Sequence, residues 1–123
     1  MRKVRFLDPA GTARSGAWHG DEVSFGGQTY DLDEIEILPP AEPSKIICVG
    51  LNYSDHAEET DSEIPERPLL FFKPPNTVAG HGDTISLPRE KERIDYEAEL
   101  GVVIGEQCRH VQPEDADDVI AGY

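Results

Sequence analysis

The chain has 123 residues, a length that fits one domain with at most a small appendage and allows a modest hydrophobic core. Its 25 acidic residues outnumber its 11 basic ones, and the formal net charge of -14 repels nucleic acids and anionic membranes. We therefore expect neither as a partner, and a small-molecule substrate is the better expectation.

The acid surplus has two interpretations. The chain has four lysines, and a surface so rich in carboxylates suits high salt, where screening removes the self-repulsion of the charges. This favours a halophilic source. The alternative is an acidic surface of the ordinary mesophilic kind.

The two cysteines, Cys48 and Cys108, have no CxxC or Cys/His spacing, so the sequence predicts neither a disulfide framework nor a zinc site. No run approaches the ~20 apolar residues that span a bilayer, and no charged and apolar leader is visible. We expect a soluble protein of the reducing cytoplasm.

The first forty residues predict short strands separated by turns, namely VRFL, the residues around Ala17 and Trp18, HGDEVSF and QTYDL. Gly26-Gly27 is a hairpin-turn signal. Residues 37–44, ILPPAEPS, hold three prolines and predict an extended linker. We predict a small N-terminal β subdomain over residues 1–40 and a second domain over residues 44–123.

Four elements are predicted after the linker. KIICVGLNY is typical of a buried strand, and Asp55 with Glu58 three residues later forms a capping-box pattern that predicts a short helix from about Asp55. Further strands are predicted in RPLLFFKPPNT, HGDTISLP and DYEAELGVVIGEQ, and the acidic tail predicts a short helix that stops at Gly122. The fold class is therefore α+β and mostly β.

Glu97 and Glu99 are the first candidate site residues. On a β-strand successive side chains alternate faces, so the two carboxylates would point one way and the apolar residues of 96–104 the other, as a core face. Paired carboxylates offer hard oxygen ligands for Mg²⁺, Mn²⁺ or Ca²⁺. The alternative is a strand face open to water, where acids are ordinary.

Three further residues are candidates. His56 and Glu59 lie three apart, so on a helix they share a face, and Glu59 could orient His56 as a general base. The alternative is a surface histidine among helix-capping acids. Lys73 follows LLFF, and its alternative is a strand-end lysine whose stem covers apolar surface.

Several motifs in series resemble one family. GLNYSDHAEE, RPLLFFKPPNTVAGHGDTISLP and DYEAELGVVIG, in this order and at these separations, are similar to motifs of the fumarylacetoacetate hydrolase family. The resemblance covers about Lys45 to Tyr123, and the preceding residues resemble the small N-terminal β domain of many bacterial and archaeal members. It implies that the second domain is the first part of that family's β-sandwich or β-roll catalytic domain.

The resemblance implies roles for the candidate residues. Glu97 and Glu99 would bind Mg²⁺ or Mn²⁺, with Ca²⁺ possible, and the metal would chelate the 2-oxo acid end of the substrate. His56 and Glu59 would form a dyad on a lid, which activates water in acylpyruvase-like members. Lys73 matches a family motif whose role the resemblance does not define, and substrate binding is the role we assign it.

The resemblance also implies residues beyond Tyr123. Family members continue into a segment with an aspartate, the third metal ligand, and a substrate-contacting lysine, and the sequence holds neither. We expect an N-terminal portion of a metal-dependent hydrolase or isomerase that cleaves, isomerises or decarboxylates 2-oxo or acylpyruvate-type acids. The alternative is a non-catalytic remnant or binding module. We also expect a homodimer or higher oligomer, as in the family.

Overall fold

The computed structural model describes residues 2–53 and 63–123, and this part of the chain is mostly β, as predicted. Contacts divide the chain into two units, Met1–Thr84 and Ile85–Tyr123. The domain boundary near Pro40 stays a prediction.

Nine strands form three antiparallel sheets in the described residues. The strands are β1 Lys3–Leu7, β2 Ala13–His19, β3 Glu22–Phe25, β4 Gln28–Asp31, β5 Glu36–Leu38, β6 Ile46–Gly50, β7 Leu69–Lys73, β8 Val103–Ile104 and β9 Ile120–Gly122. Single 3₁₀ turns cover Leu32–Glu34, Pro75–Thr77 and Pro113–Asp115, and an α-helical turn covers Ala116–Val119.

The N-terminal sheet comprises five strands in the order β4-β3-β2-β1-β5. Its first four strands follow one another as hairpins, which confirms the strands predicted in the first forty residues. Gly26 and Gly27 both have positive φ, 60° and 81°, as a two-residue hairpin turn between β3 and β4 requires.

The core of this sheet is small. Val4, Phe6 and Val23 are its buried hydrophobic residues, and strand alternation places Val4 and Phe6 on the same face of β1. Six partly buried residues pack around them, namely Trp18, Phe25, Tyr30, Leu32, Ile35 and Ile37. Phe6 lies at the centre of an aromatic group, with ring centroids 6.4 Å from Phe25 and 5.6 Å from Tyr30.

The predicted linker over residues 37–44 needs a correction, because it begins inside strand β5, which pairs with β1 at the edge of the sheet. The Arg5 guanidinium also donates a hydrogen bond of 3.0 Å to the Pro39 carbonyl and forms an ion pair with Glu42. The prolines therefore follow a path that is fixed to the sheet, rather than a free spacer.

Strands β6 and β7 pair as an antiparallel ladder from Ile46 opposite Lys73 to Gly50 opposite Leu69. Both strands were predicted, but the prediction that KIICVGLNY is a buried strand is wrong, because no residue of β6 is buried and Ile47 is 52% exposed. Every residue of β7 is exposed, and the exposed fraction reaches 70% at Phe72. Strand β7 therefore carries apolar side chains that are not covered by any residue in the described ranges 2–53 and 63–123.

The predicted strand in HGDTISLP is absent, since residues 81–88 hold a turn and irregular backbone. The strand predicted over residues 95–107 is present only as Val103–Ile104, which pairs with β9. A strand needs a hydrogen-bonding neighbour, and residues 95–102 have no strand partner in the described part of the chain.

The tail helix is shorter than predicted, because the α-helical turn ends at Val119 and the next residues form β9. The helix predicted from Asp55 lies outside the described residues. Within residues 2–53 and 63–123, no helix has the length and apolar character needed to cross a membrane.

Candidate functional site

Glu97 and Glu99 lie in the unit Ile85–Tyr123, on irregular backbone that precedes β8. Both side chains are exposed. The prediction that they share one face of a strand is wrong for the described backbone, because residues 95–102 form no strand. A single residue separates them in the chain, so both carboxylates lie in the same exposed segment.

The apolar residues beside the two glutamates do not form the predicted core face. Tyr96 is 94% exposed, Leu100 66% and Val102 48%. Nearby, Arg93 and Asp95 form an exposed ion pair, with 2.7 Å between Nε and Oδ2. Acidic and apolar residues therefore alternate in the sequence, but these apolar residues do not form a buried face in the described part of the chain.

The carboxylate pair suits a hard divalent cation by the chemistry of its donors. Two carboxylates hold such a cation only together with waters, substrate oxygens or further protein ligands that complete its coordination. In residues 2–53 and 63–123 no group of three or more His, Cys, Asp or Glu side chains is placed to hold a metal. Glu97 and Glu99 therefore supply part of a metal site at most, within the described residues.

Lys73 is the last residue of β7, opposite Ile46 of β6. Its ammonium nitrogen lies 5.9 Å from the centroid of the Phe71 ring, within the range of a cation–π contact. This geometry resembles the strand-end alternative of the sequence analysis. Its role in substrate binding stays a prediction.

His56 and Glu59 lie outside the described residues, so the proposed dyad stays a prediction. In the described part of the chain, a cleft beside Asp8 and a cleft beside His81 border the N-terminal sheet, and neither is lined by Glu97, Glu99 or Lys73. One of them is bordered by a residue that the sequence analysis did not single out, His81.

Asp8, the residue after β1, is a polar centre that the sequence analysis did not single out. Its carboxylate accepts hydrogen bonds from the backbone N–H of Thr12 at 2.9 Å, the N–H of Ala10 at 3.0 Å and Nε of Arg14 at 2.9 Å. The Thr12 bond, followed by the Arg14 side chain, lowers the pKa of Asp8 below its ordinary value. This cluster closes the β1–β2 turn and has a structural role.

Residues 45–123 match the family described as Fumarylacetoacetate (FAA) hydrolase C-terminal. The chain belongs to the fumarylacetoacetate hydrolase family. The match includes Lys73, Glu97 and Glu99, and it leaves the N-terminal sheet outside the matched region. The family resemblance of the sequence motifs is confirmed.

Three relatives show how much of the family this chain covers. A protein of Archaeoglobus fulgidus is 52% identical over 104 residues, which are 85% of this chain and 42% of that protein. An oxaloacetate tautomerase of Bacillus subtilis is 48% identical over 104 residues, 80% of this chain and 35% of that enzyme. The structure of a 5-carboxymethyl-2-hydroxymuconate delta-isomerase of Mycobacterium smegmatis is 34% identical with a TM-score of 0.82, and covers all of this chain and 52% of that one. The chain spans under half the length of these two sequence relatives.

Proposed function

We propose that this chain is part of a divalent-metal-dependent isomerase or hydrolase that acts on 2-oxo acids or acylpyruvate-type substrates, with keto–enol tautomerisation of a 2-oxo dicarboxylate as the first reaction to test. The observation that carries the proposal is 48% identity over 104 residues to a protein named as an oxaloacetate tautomerase. The similarity to a delta-isomerase, at 34% identity and a TM-score of 0.82, supports isomerisation more than hydrolysis.

In this proposal residues 44–123 are the first part of a β-sandwich or β-roll catalytic domain, preceded by a small β subdomain over residues 1–40. The family match over residues 45–123 supports the first assignment. The five-stranded sheet with its own core of Val4, Phe6 and Val23 supports the second. The protein would work in the cytoplasm and bind neither nucleic acid nor membrane, which its charge of -14 favours.

Glu97 and Glu99 would contribute two carboxylates to a site for Mg²⁺ or Mn²⁺, with Ca²⁺ as a further candidate. Such a cation, when bound, polarises the carbonyl of a 2-oxo acid and makes the neighbouring C–H more acidic. Both carboxylates are exposed, so a cation and a substrate can approach them from solvent without rearrangement of a packed core.

His56 and Glu59 would move the proton. Keto-to-enol conversion removes a proton from the carbon next to the carbonyl and adds one at the carbonyl oxygen, and enol-to-keto conversion is the reverse, so the substrate gains and loses no atoms overall. The imidazole of His56 would accept the carbon-bound proton in the keto-to-enol direction and return it to the carbon in the enol-to-keto direction, and Glu59 would orient the ring and favour its protonated form. Lys73 would contribute a positive charge for a substrate carboxylate.

The test is the rate of enol-to-keto conversion of oxaloacetate, followed by the loss of enol absorbance with Mg²⁺ or Mn²⁺ present. General base removal costs about 10²- to 10⁴-fold, so His56→Ala is expected to lower the metal-dependent rate by that order. Glu97→Gln should lower it as well, while the exposed Glu106→Gln serves as the matched control. A wild-type rate equal to the buffer rate with metal would contradict the proposal for this chain.

A homodimer or higher oligomer is also proposed. The exposed apolar side chains of β7, with Leu69, Leu70 and Phe72 all more than half exposed, support association. Because a charge of -14 opposes association until salt screens it, the oligomer should increase with ionic strength. Sedimentation at low and molar salt tests this, and a compact monomer under both conditions would overturn it.

A further inference from the structure

A turn from the family-matched region lies against the N-terminal sheet. Residues 78–83, here named the strap, follow the 3₁₀ turn after β7 and belong to the same unit as strands β1 to β5. The family match begins at residue 45, so the strap lies inside it and the sheet before it. The strap is therefore a place where the two parts of the chain can be coupled.

The strap is a closed turn. The Asp83 N–H donates to the Gly80 carbonyl at 3.3 Å, and the Gly80 N–H donates to Asp83 Oδ2 at 2.6 Å. Gly82, the third residue of the turn, has a φ of +81°, as a type II turn requires. These bonds present His81 at the tip of the turn.

His81 contacts the sheet through Trp18, with ring centroids 5.7 Å apart and planes at 80°, an edge-to-face arrangement. The Trp18 indole is held by the hydrogen bond from its Nε1 to the Gly20 carbonyl at 2.8 Å. The guanidinium carbon of Arg2 lies 5.1 Å from the indole ring, which adds a cation–π contact. Trp18 is thus a fixed surface for the strap.

A second contact lies at Gly80, next to β5 and the residue after it. A Cβ added there would meet the Ile37 carbonyl oxygen at 3.1 Å and Pro39 Cδ at 3.2 Å. The backbone therefore approaches the edge of the sheet more closely than most side chains allow. Between the strap and the sheet is a cleft of about 430 Å³, bordered by Leu32, Ile35 and Asp83.

We propose that the strap is a latch that holds the N-terminal sheet to the family-matched part of the chain, with His81 on Trp18 and Gly80 on the β5 edge as its two points of attachment. The three buried core residues, Val4, Phe6 and Val23, do not include the strap. The latch therefore opens without unfolding the sheet, and its opening exposes Trp18 and the cleft.

The experiment is amide hydrogen exchange of the whole chain, with Trp18 fluorescence as a second readout, since Trp18 is the single tryptophan. An edge-to-face aromatic contact corresponds to a change of about 2- to 12-fold in an equilibrium. His81→Ala is therefore expected to raise the detached fraction of the strap by about that factor and to make Trp18 more accessible to a neutral quencher, while amide exchange in β1 to β4 stays as in the wild type. The control is His19→Ala, an exposed histidine next to Trp18 on β2.

A second variant, Gly80→Val, pushes the strap from β5 and should also make Trp18 more accessible, with the His81 side chain still present. Unchanged quencher access to Trp18 in both variants would overturn the latch. Equal effects of His81→Ala and His19→Ala would overturn the specific role of His81. Loss of protection throughout β1 to β4 in His81→Ala would also contradict it, because the strap would then be part of the folding core.

Discussion

Gly16 in strand β2 lies where the N-terminal sheet has no room for a side chain. A Cβ at this position would stand 2.6 Å from the Ser24 carbonyl oxygen, 3.0 Å from Val23 Cγ1 and 3.1 Å from Phe6 Cε1. The Ser24 oxygen belongs to the backbone of β3, which is paired with strands on both sides. It cannot move away without disturbing two ladders.

We expect Gly16→Ala to destabilise the sheet. Overpacking costs about 1–3 kcal/mol, and the lower entropy of an unfolded chain with alanine offsets about 0.4–1 kcal/mol of that. Because the blocking atom is backbone at 2.6 Å, we take the upper part of the overpacking range, about 2–3 kcal/mol, which leaves a net loss of about 1–2.6 kcal/mol. This corresponds to a fall of about 4–20 °C in the midpoint of thermal unfolding at about 4–8 °C per kcal/mol.

The assay is thermal unfolding followed by Trp18 fluorescence and far-UV circular dichroism. The control is Gly101→Ala, because a Cβ at Gly101 would meet no atom within 4 Å and Gly101 has no positive φ. Its midpoint should equal or slightly exceed that of the wild type, because the lower entropy of the unfolded chain with alanine is the one effect expected there. A Gly16→Ala midpoint equal to the wild type would refute the packing of β2 against β3 described above.

Three further predictions concern charge. Since hydrogen bonds depress the pKa of Asp8, its carboxylate stabilises the fold above the unfolded value of about 3.9 and loses this effect as the pH falls through the folded pKa. The stability difference between wild type and Asp8→Asn should therefore shrink in acid unfolding curves, and a constant difference would contradict this. Arg5→Ala removes the hydrogen bond to Pro39 and the ion pair with Glu42, so it should lower the free energy of unfolding by under about 1 kcal/mol. It should also speed amide exchange at residues 41–42. Unchanged exchange there would show that other contacts hold these two residues. Because the net charge is -14, salt should stabilise the fold by screening the repulsion between carboxylates, over a screening length that falls to about 3 Å in molar salt. The urea midpoint of unfolding should therefore rise from low to molar salt. An unchanged midpoint would favour the ordinary mesophilic acidic surface.

The N-terminal strands could be predicted from sequence because their partners are neighbours in the chain. Alternation places Val4 and Phe6 on one face of β1, and Gly26-Gly27 marks the β3–β4 hairpin. Strand β5 was missed, because the prolines after Leu38 suggested a linker and its partner is the distant β1. A local sequence pattern does not indicate which distant segment a strand pairs with.

The sequence predicted which residues are candidates for the site, but it did not predict the backbone structure that carries them. The E-x-E pattern identified Glu97 and Glu99 within a region that the family match confirms. The strand expected to carry them is not formed, because residues 95–102 have no strand partner in the described part of the chain. The contact between His81 and Trp18 could not be predicted, since residues 63 positions apart carry no shared local pattern.

The proposed function depends on a divalent cation that Glu97 and Glu99 help to hold for chemistry on a 2-oxo acid. Mn²⁺ binding to the whole chain, measured by the loss of the free-ion signal in electron paramagnetic resonance, tests it most directly. Binding should be weakened in Glu97→Gln and in Glu99→Gln and unchanged in Glu106→Gln, and oxaloacetate should strengthen it in the wild type. Equal Mn²⁺ affinity in all four proteins, with or without oxaloacetate, would contradict the account.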